Sequence, residues 1–373
     1  FWLKAFRCQT APTARPKMPA AGAFHTVLLR SDGRVVAFGS DRYGQCGFAK
    51  RAAVQARYRH VAAGSAHTVL LRADGAAVGY GSNTYGQCEA PASSAGYASV
   101  AAGLHHTVLL RKDGSAVAFG SNYKGQCDLP KLEEGARYVE ASGGSYHTVL
   151  LLSDGRAIAC GCNRHGQCDI PELAPGTKYC HVAAGDAHTV LLRSDGLAVG
   201  CGSNRHGQLD IPSGPRYVQA SSGLHHTVLL RSDGRAVACG SNRYGQCDLP
   251  CGEAVYDQVA VGSCHTVLLR RDGRPVACGD NDHGQAEVLV GVEFSPAVPL
   301  SDIVVQLLAE GPNVACRSLA GSELAKWSAT DGDPPQSLGS ALQHLCRPGH
   351  RLRVVLPDGR LLTRWLTWAE LLA

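Results

Sequence analysis

No run of apolar residues in this chain approaches the ~18 that a membrane-spanning helix needs, so a helical membrane protein is excluded. Aromatic residues are scarce at 6%, and the four tryptophans, Trp2, Trp327, Trp365 and Trp368, stand near the two ends of the sequence. Charge is thin as well, at 18% of residues with a net +5. That balance lacks the clustered basic stripe of a dedicated nucleic-acid binder. Sequence motifs of catalysis are equally missing. There is no C-x-x-C, no G-K-[ST] after a glycine-rich loop, no nucleophile elbow and no paired carboxylate, which argues against an enzyme.

What the sequence does have is repetition. The form G-x-x-H-T-V-L-L-R-x-D-G recurs with its His-Thr pair at His25, His67, His106, His147, His188, His226 and His265, in steps of 42, 39, 41, 41, 38 and 39 residues. A period near forty means one supersecondary unit per copy, stacked or closed into a single body. Roughly 270 of the 373 residues belong to it. Residues 1–18 form a positively charged lead without the apolar core of a secretory signal, and we expect an exposed segment.

One copy, Tyr217 to Pro250, gives the local reading. Tyr217 to Ser221 is a short strand and Gly223 permits a sharp turn. His226 to Arg231 is a second strand, Asp233-Gly234 a tight hairpin, and Arg235 to Cys239 the returning strand. The strands are apolar on both faces, as blades packed between neighbours require. Seven such copies without helical periodicity predict an all-β seven-bladed propeller over residues 19–310. Pro16 and Pro19 disfavour an opening strand in the first copy, whereas residues 303–309 (IVVQLLA) read like one. The expectation is that 303–309 pairs into blade 1 and latches the ring.

G-x-x-H-T-V-L-L, the D-G hairpin and G-S-N-x-x-G-Q-C, recurring together over residues 19–287, resemble the regulator of chromosome condensation (RCC1)-like propeller family. The short steps are most similar to HERC-like (HECT-and-RCC1 ubiquitin-ligase) or bacterial-type members. No HECT domain is present, so the resemblance implies a non-catalytic interaction scaffold serving a ubiquitin-ligase system. The founding member implies an alternative, guanine-nucleotide exchange on a small GTPase, but steps of 38 to 42 residues leave no room for its inserted β-wedge. Ultraviolet perception, known in plant relatives, needs tryptophans within the blades, which are absent.

Where the family has Leu after G-Q, this chain has Cys46, Cys88, Cys127, Cys168 and Cys247, with Leu209 and Ala286 in two copies. Where it has Trp before G-x-N stand Cys160, Cys201, Cys239 and Cys278, alongside Phe38, Tyr80 and Phe119. Slots that accept Leu or Phe are apolar slots, so these thiols are read as small core residues rather than zinc ligands or disulfides. Many free thiols imply a reducing compartment, cytosol or nucleus. The seven histidines are read as structural, each bonded to nearby backbone, because catalysis needs unlike groups converging and symmetry spreads like groups around a circle. No cofactor or metal is expected.

Function is then sought where copies differ. The pairs before G-Q are Arg42-Tyr43, Thr84-Tyr85, Tyr123-Lys124, Arg164-His165, Arg205-His206, Arg243-Tyr244 and Asp282-His283. This rim of Arg, Tyr and His is the candidate site for a protein partner, a small GTPase or ubiquitin-system component among them; chromatin, nucleic acid and membrane are not expected. A second variable set, Phe24, Leu104, His105, Tyr146, Leu224 and His225, is either an exposed apolar patch or blade packing. Residues 312–365 lose the repeat. Val314 to Ser318 and Glu323 to Trp327 read as a hairpin, 333–346 as a helix opened by Asp333, Pro334 and Pro335, and Leu352 to Leu356 as a strand before an Asp358-Gly359 turn. This order resembles a small α+β, ubiquitin-like β-grasp domain.

Overall fold

The computed structural model describes residues 19–50, 57–214, 216–250 and 254–287, with 49 and 50 as backbone only, and four tail strands as backbone, 304–310, 313–318, 323–328 and 353–355. The lead 1–18, the tail helix 333–346 and the Asp358-Gly359 turn lie outside the described residues. The chain forms two compact units, residues 1–289 with 294–296, and residues 290–293 with 297–373.

The first unit is all-β. Seven three-stranded antiparallel sheets follow one another, each with its strands in sequence order. The middle strands begin at each repeated histidine, as in His147–Leu152 and His226–Arg231. All of the H-T-V-L-L residues in them are buried, because each blade is covered on both faces by its neighbours. Side chains alternate along a strand. Val149 and Leu151 therefore pack forward on Tyr179, Val182 and Leu191 of the fifth blade, while Leu150 packs back on Val108, Leu110 and Tyr138. The sixth blade runs Tyr217–Ser222, His226–Arg231 and Ala236–Gly240, within a residue of the sequence expectation. The inner strand of every blade from the second on carries a bulge after its tyrosine, such as between Tyr217 and Gln219.

The expected latch is not what closes the ring. Pro19–Ala21 supplies the opening strand of blade 1, pairing Pro19 with Leu28, Ala20 with Val27 and Ala21 with Thr26. Proline is tolerated there because it is the first residue of the strand, where one lost amide costs little. Val304–Glu310 instead pairs antiparallel with Asn313–Ser318 and parallel with Arg353–Val355. A neighbour two residues away in sequence wins because closing so short a loop costs less entropy than returning to a distant blade. The tail thus begins before residue 312. Its sheet also holds the expected hairpin, Asn313–Ser318 with Glu323–Ser328, and the order places Val304–Glu310 between that hairpin and Arg353–Val355.

The glycine of G-x-x-H is required by contact. A Cβ on Gly144 would lie 2.3 Å from Cε1 of its own His147 and 2.5 Å from the Gly185 carbonyl oxygen of the next blade. Neither a core imidazole nor a backbone carbonyl can yield easily. We expect Gly144→Ala to lower stability by about 2–3 kcal/mol in urea unfolding, whereas Gly176→Ala, where nothing lies within 4 Å and only the positive φ is strained, costs about 1 kcal/mol.

Candidate functional site: the loop face of the propeller

Strand pairing puts His226 opposite Gly240, so the G-x-x-H turn and the loop after the outer strand emerge at one end of the blade. The D-G hairpins lie at the other end. The loop face therefore carries both variable sets found in the sequence, and the hairpin face carries neither.

Under the loop face runs a closed relay. Each histidine Nε2 meets the threonine Oγ1 of the next blade, from His25 to Thr68 at 2.9 Å through to His265 and Thr26 at 2.9 Å. Each of those threonines donates its hydroxyl proton, at 2.7–2.8 Å, to the main-chain oxygen of the G-Q glutamine in the preceding copy. A hydroxyl has one proton, so it can only accept from histidine. Nε2 therefore carries the imidazole hydrogen in all seven rings, and the Nδ1 atoms are bare and unpartnered. Burial pushes the histidines down to about 3 at His25, His67, His147 and His226, and to about 4 at His106, His188 and His265. Neutral, committed and fully buried, they serve the scaffold. The expected partner is corrected: the bond goes not to nearby backbone but to a side chain of the next blade, 39–43 residues away in six cases and 239 residues away for His265 and Thr26.

The rim loops are stapled turns. In the sixth, Asn242 Oδ1 accepts from the Cys247 amide at 2.8 Å, Asn242 Nδ2 donates to Asp248 at 2.7 Å, and Gln246 Oε1 accepts from the Tyr244 amide at 2.9 Å. Gly240 enters the loop at φ 110°, where a Cβ would meet the His225 carbonyl at 2.4 Å. The Oδ1 and Gln Oε1 bonds recur in all the other loops, with Asp41 replacing asparagine in the first, and the Nδ2-to-carboxylate bond recurs in the second to fifth. So anchored, the two residues before G-Q project outward. Arg42, Tyr43, Tyr85, Tyr123, Lys124, Arg164, His165, Arg205, His206, Arg243, Tyr244 and His283 are all exposed.

The second variable set joins the rim. Phe24 meets His283 edge-on at 5.2 Å, Tyr85 lies 5.2 Å from His105 and 5.8 Å from Tyr123, and His206 stacks on His225 at 4.3 Å. Arg42 sits 5.9 Å over Tyr43. Phe24 and Tyr146 are exposed, and Leu104, His105, Leu224 and His225 half-buried, so the set divides between the two alternatives. Inside it, Ala23, Ser65, Leu104, Ser145, Asp186 and Leu224 help to line an axial cavity of about 100 Å³.

Sequence reasoning missed the third residue of the inner strands. His181 Nδ1 is 2.7 Å from Glu140 and its Nε2 2.8 Å from the Ala220 carbonyl, so one imidazole ties three blades. Gln219 takes both polar groups of Val259, and His60 accepts from Val100. The signal was there as a variable polar slot after each tyrosine. The cysteine slots hold small, half-buried thiols whose desolvation pushes them up to about 11 at Cys88, Cys127 and Cys168, and about 12 at Cys160 and Cys239. Among the described residues no group of histidine, cysteine or carboxylates is arranged to hold a metal, and no helix is long and apolar enough to cross a membrane.

The regulator of chromosome condensation (RCC1) repeat model matches at residues 20–45, 58–87, 97–126, 139–167, 179–208, 217–246 and 256–285. No curated protein sequence matches the chain. Among solved structures, Prp20p from Saccharomyces cerevisiae, studied for its binding to Gsp1p and histones, superposes with a TM-score of 0.60 at 18% identity over 72% of this chain and 83% of that one. Yeast RCC1 (Prp20) bound to Kap60 gives 0.59 at 17% over 72% and 81%. The CRINKLY WD40 ectodomain of the Arabidopsis thaliana receptor kinase ACR4 gives 0.59 at 18% over 73% and 98%. At these identities the likeness is one of fold.

The relay sets a pH dependence. A histidine at about 4 in the fold and near 6.5 unfolded contributes ~3 kcal/mol that is fully present above pH 6.5. As pH falls toward 4 the unfolded chain takes up protons that the folded ring refuses, and that stability is lost. Thermal unfolding should therefore drop steeply between pH 6.5 and 4. Thr148→Val, which strands both His106 and the Gln126 carbonyl, should cost about 2–4 kcal/mol at pH 7.5.

Proposed function

The chain belongs to the regulator of chromosome condensation (RCC1) repeat family, and we propose that it works as a non-catalytic protein-binding propeller whose partner docks on the loop face. One observation carries this reading: loops of the same hydrogen-bonded build present unlike and exposed side chains, Arg, Tyr, His, Lys and Asp, around one axis. Such residues on a rigid frame are the material of protein interfaces, because little conformational entropy is lost in fixing the aromatic ones. The repeated histidines offer no competing chemistry, since their protons are committed below the surface. Partner binding is also how one of the similar proteins, yeast Prp20, has been described in two structures, with Gsp1p and histones in one and Kap60 in the other.

The narrower form of the proposal is service in a HERC-like ubiquitin-ligase system, supported by the short repeat steps and by the absence of catalytic motifs within the repeats. For the tail, the ubiquitin-like reading draws support from the parallel pairing of Val304–Glu310 with Arg353–Val355 beside an antiparallel hairpin. A third strand on the hairpin side departs from the ubiquitin order. A reducing compartment is supported by twelve free cysteines among the described residues. The second reading, nucleotide exchange on a small GTPase, is favoured by the Prp20p-like fold alone. It predicts faster nucleotide release from a Ran-type GTPase on addition of the chain, which the scaffold reading does not.

A photo-crosslinking residue in place of Tyr123 on the loop face should capture a discrete partner in the cells that express the protein. The same residue in place of Leu197, exposed on a hairpin turn, should capture none. Capture from Leu197 alone would move the binding face to the other side.

A further inference from the structure

The two faces of the propeller differ in how their arginines are paired. On the hairpin face seven arginines meet carboxylates of the chain, and others there, such as Arg111 and Arg216, bond Ser115 and the Ser194 carbonyl instead. Arg30 and Arg34 meet Asp32, Arg193 meets Asp195 at 2.5 Å, Arg231 meets Asp233 at 2.7 Å, and Arg270 meets Asp272 at 3.3 Å. Arg156 is held by Asp154 and Glu133, and Arg271 by Asp257. Every arginine ion pair among the described residues lies on that face. For Arg30, Arg193, Arg231 and Arg270 the cause is the R-x-D-G sequence, which sets a carboxylate beside the arginine across the turn.

On the loop face, Arg164, Arg205 and Arg243 occupy the same slot in three consecutive blades, and none has an ion pair among the described residues. The nearest carboxylates in sequence, Asp169, Asp210 and Asp248, each take an amide hydrogen of Asn163, Asn204 or Asn242 on Oδ1 at 2.7–2.8 Å, and none forms an ion pair with these arginines. The guanidinium groups are therefore presented as a row of unfilled forks on stapled turns, with the His206–His225 stack between them. A guanidinium fork matches a carboxylate with two parallel hydrogen bonds. Three at the spacing of adjacent blades ask for several carboxylates along one chain.

We propose that this arc binds an Asp/Glu-rich segment of a protein partner. The inference rests on the loop-face reading above and deepens it by naming the partner's chemistry. Protein rather than nucleic acid follows from the acids that stay on the same face. Asp169, Asp210 and Asp248 share the arginine loops, and Asp186 at the axial mouth and Asp280 and Asp282 in the seventh loop flank them, so a continuous phosphate backbone meets repulsion along its length, whereas a short segment can set single carboxylates on the arginines of blades 4 to 6.

The test is fluorescence anisotropy of a short labelled Glu-rich peptide with the full chain, against a Lys-rich peptide and a single-stranded oligonucleotide of matched length. The variant Arg164→Ala/Arg205→Ala/Arg243→Ala is compared with Arg34→Ala/Arg156→Ala/Arg271→Ala, which removes the same charge from exposed hairpin-face arginines. We expect salt-sensitive binding of the Glu-rich peptide, weakened by roughly tenfold or more in the loop-face variant and nearly unchanged in the hairpin-face variant, both with the parent melting temperature. Equal loss in the two variants, tighter binding of the oligonucleotide, or no binding of the Glu-rich peptide would each overturn the proposal. If crosslinking from Tyr123 persists while the Glu-rich peptide fails to bind, the acidic partner falls and the loop-face reading stands.

Discussion

The hydrogen bond from each histidine to the threonine of the next blade is the constraint on which the rest of this propeller depends. Adjacent residues in a strand point to opposite faces, so a His-Thr dipeptide at the start of a middle strand offers a donor forward and a hydroxyl backward. The hydroxyl takes the proton from the previous blade's histidine and passes its own to that blade's G-Q carbonyl. Each blade is incomplete without both neighbours, and the relay is complete only when His265 reaches Thr26. No strand exchanged between the ends is needed. That is why Pro19–Ala21 suffices as an opening strand, and why Val304–Glu310 is free to pair within the tail sheet.

The same bond fixes the other repeated letters. Glycine precedes the histidine because a Cβ would strike the ring, and glutamine follows glycine because its carbonyl must receive the threonine while its side chain caps the turn. Once these positions are spent on closure, the two residues between Asn and Gly-Gln, and the two between Gly and His, are left to vary without cost to the ring. Function and scaffold are thereby separated in sequence. A surface that can change residue by residue on a frame that cannot is what a binding module needs.

The sequence made the blades legible because hairpin, period and two-sided apolar strands are local or repetitive signals. The rim pairs stand out for the opposite reason, as the words that fail to repeat, and all fourteen of their residues are exposed. What was hidden depends on closure. His147 and Thr189 are 42 residues apart, and nothing in either copy says that one reaches the other until the sheets stand side by side. The Glu140–His181 pair was hidden likewise, although its slot varies visibly. The latch failed because an apolar segment such as 303–309 carries no label for its partner. The tail's own strand was nearer in sequence, and proximity decided.

The ring's symmetry is broken in the outer-strand slot and again on the rim. In the outer-strand slot the first three blades carry Phe38, Tyr80 and Phe119, and the last four carry cysteines. The smaller thiols of Cys160, Cys201, Cys239 and Cys278 reach the glutamine carbonyls at 3.5–3.8 Å, the very oxygens that receive the threonine hydroxyls. A carbonyl has two lone pairs, so thiol and hydroxyl can share it. Above the first three blades the rim pairs are Arg42-Tyr43, Thr84-Tyr85 and Tyr123-Lys124, and above the last four they are Arg164-His165, Arg205-His206, Arg243-Tyr244 and Asp282-His283. A sevenfold scaffold has no direction of its own and cannot orient an elongated partner. Consecutive arginines over blades 4 to 6, with a tyrosine in each loop over blades 1 to 3, make the sectors of the face distinguishable, and that difference can orient a partner that carries an acidic stretch.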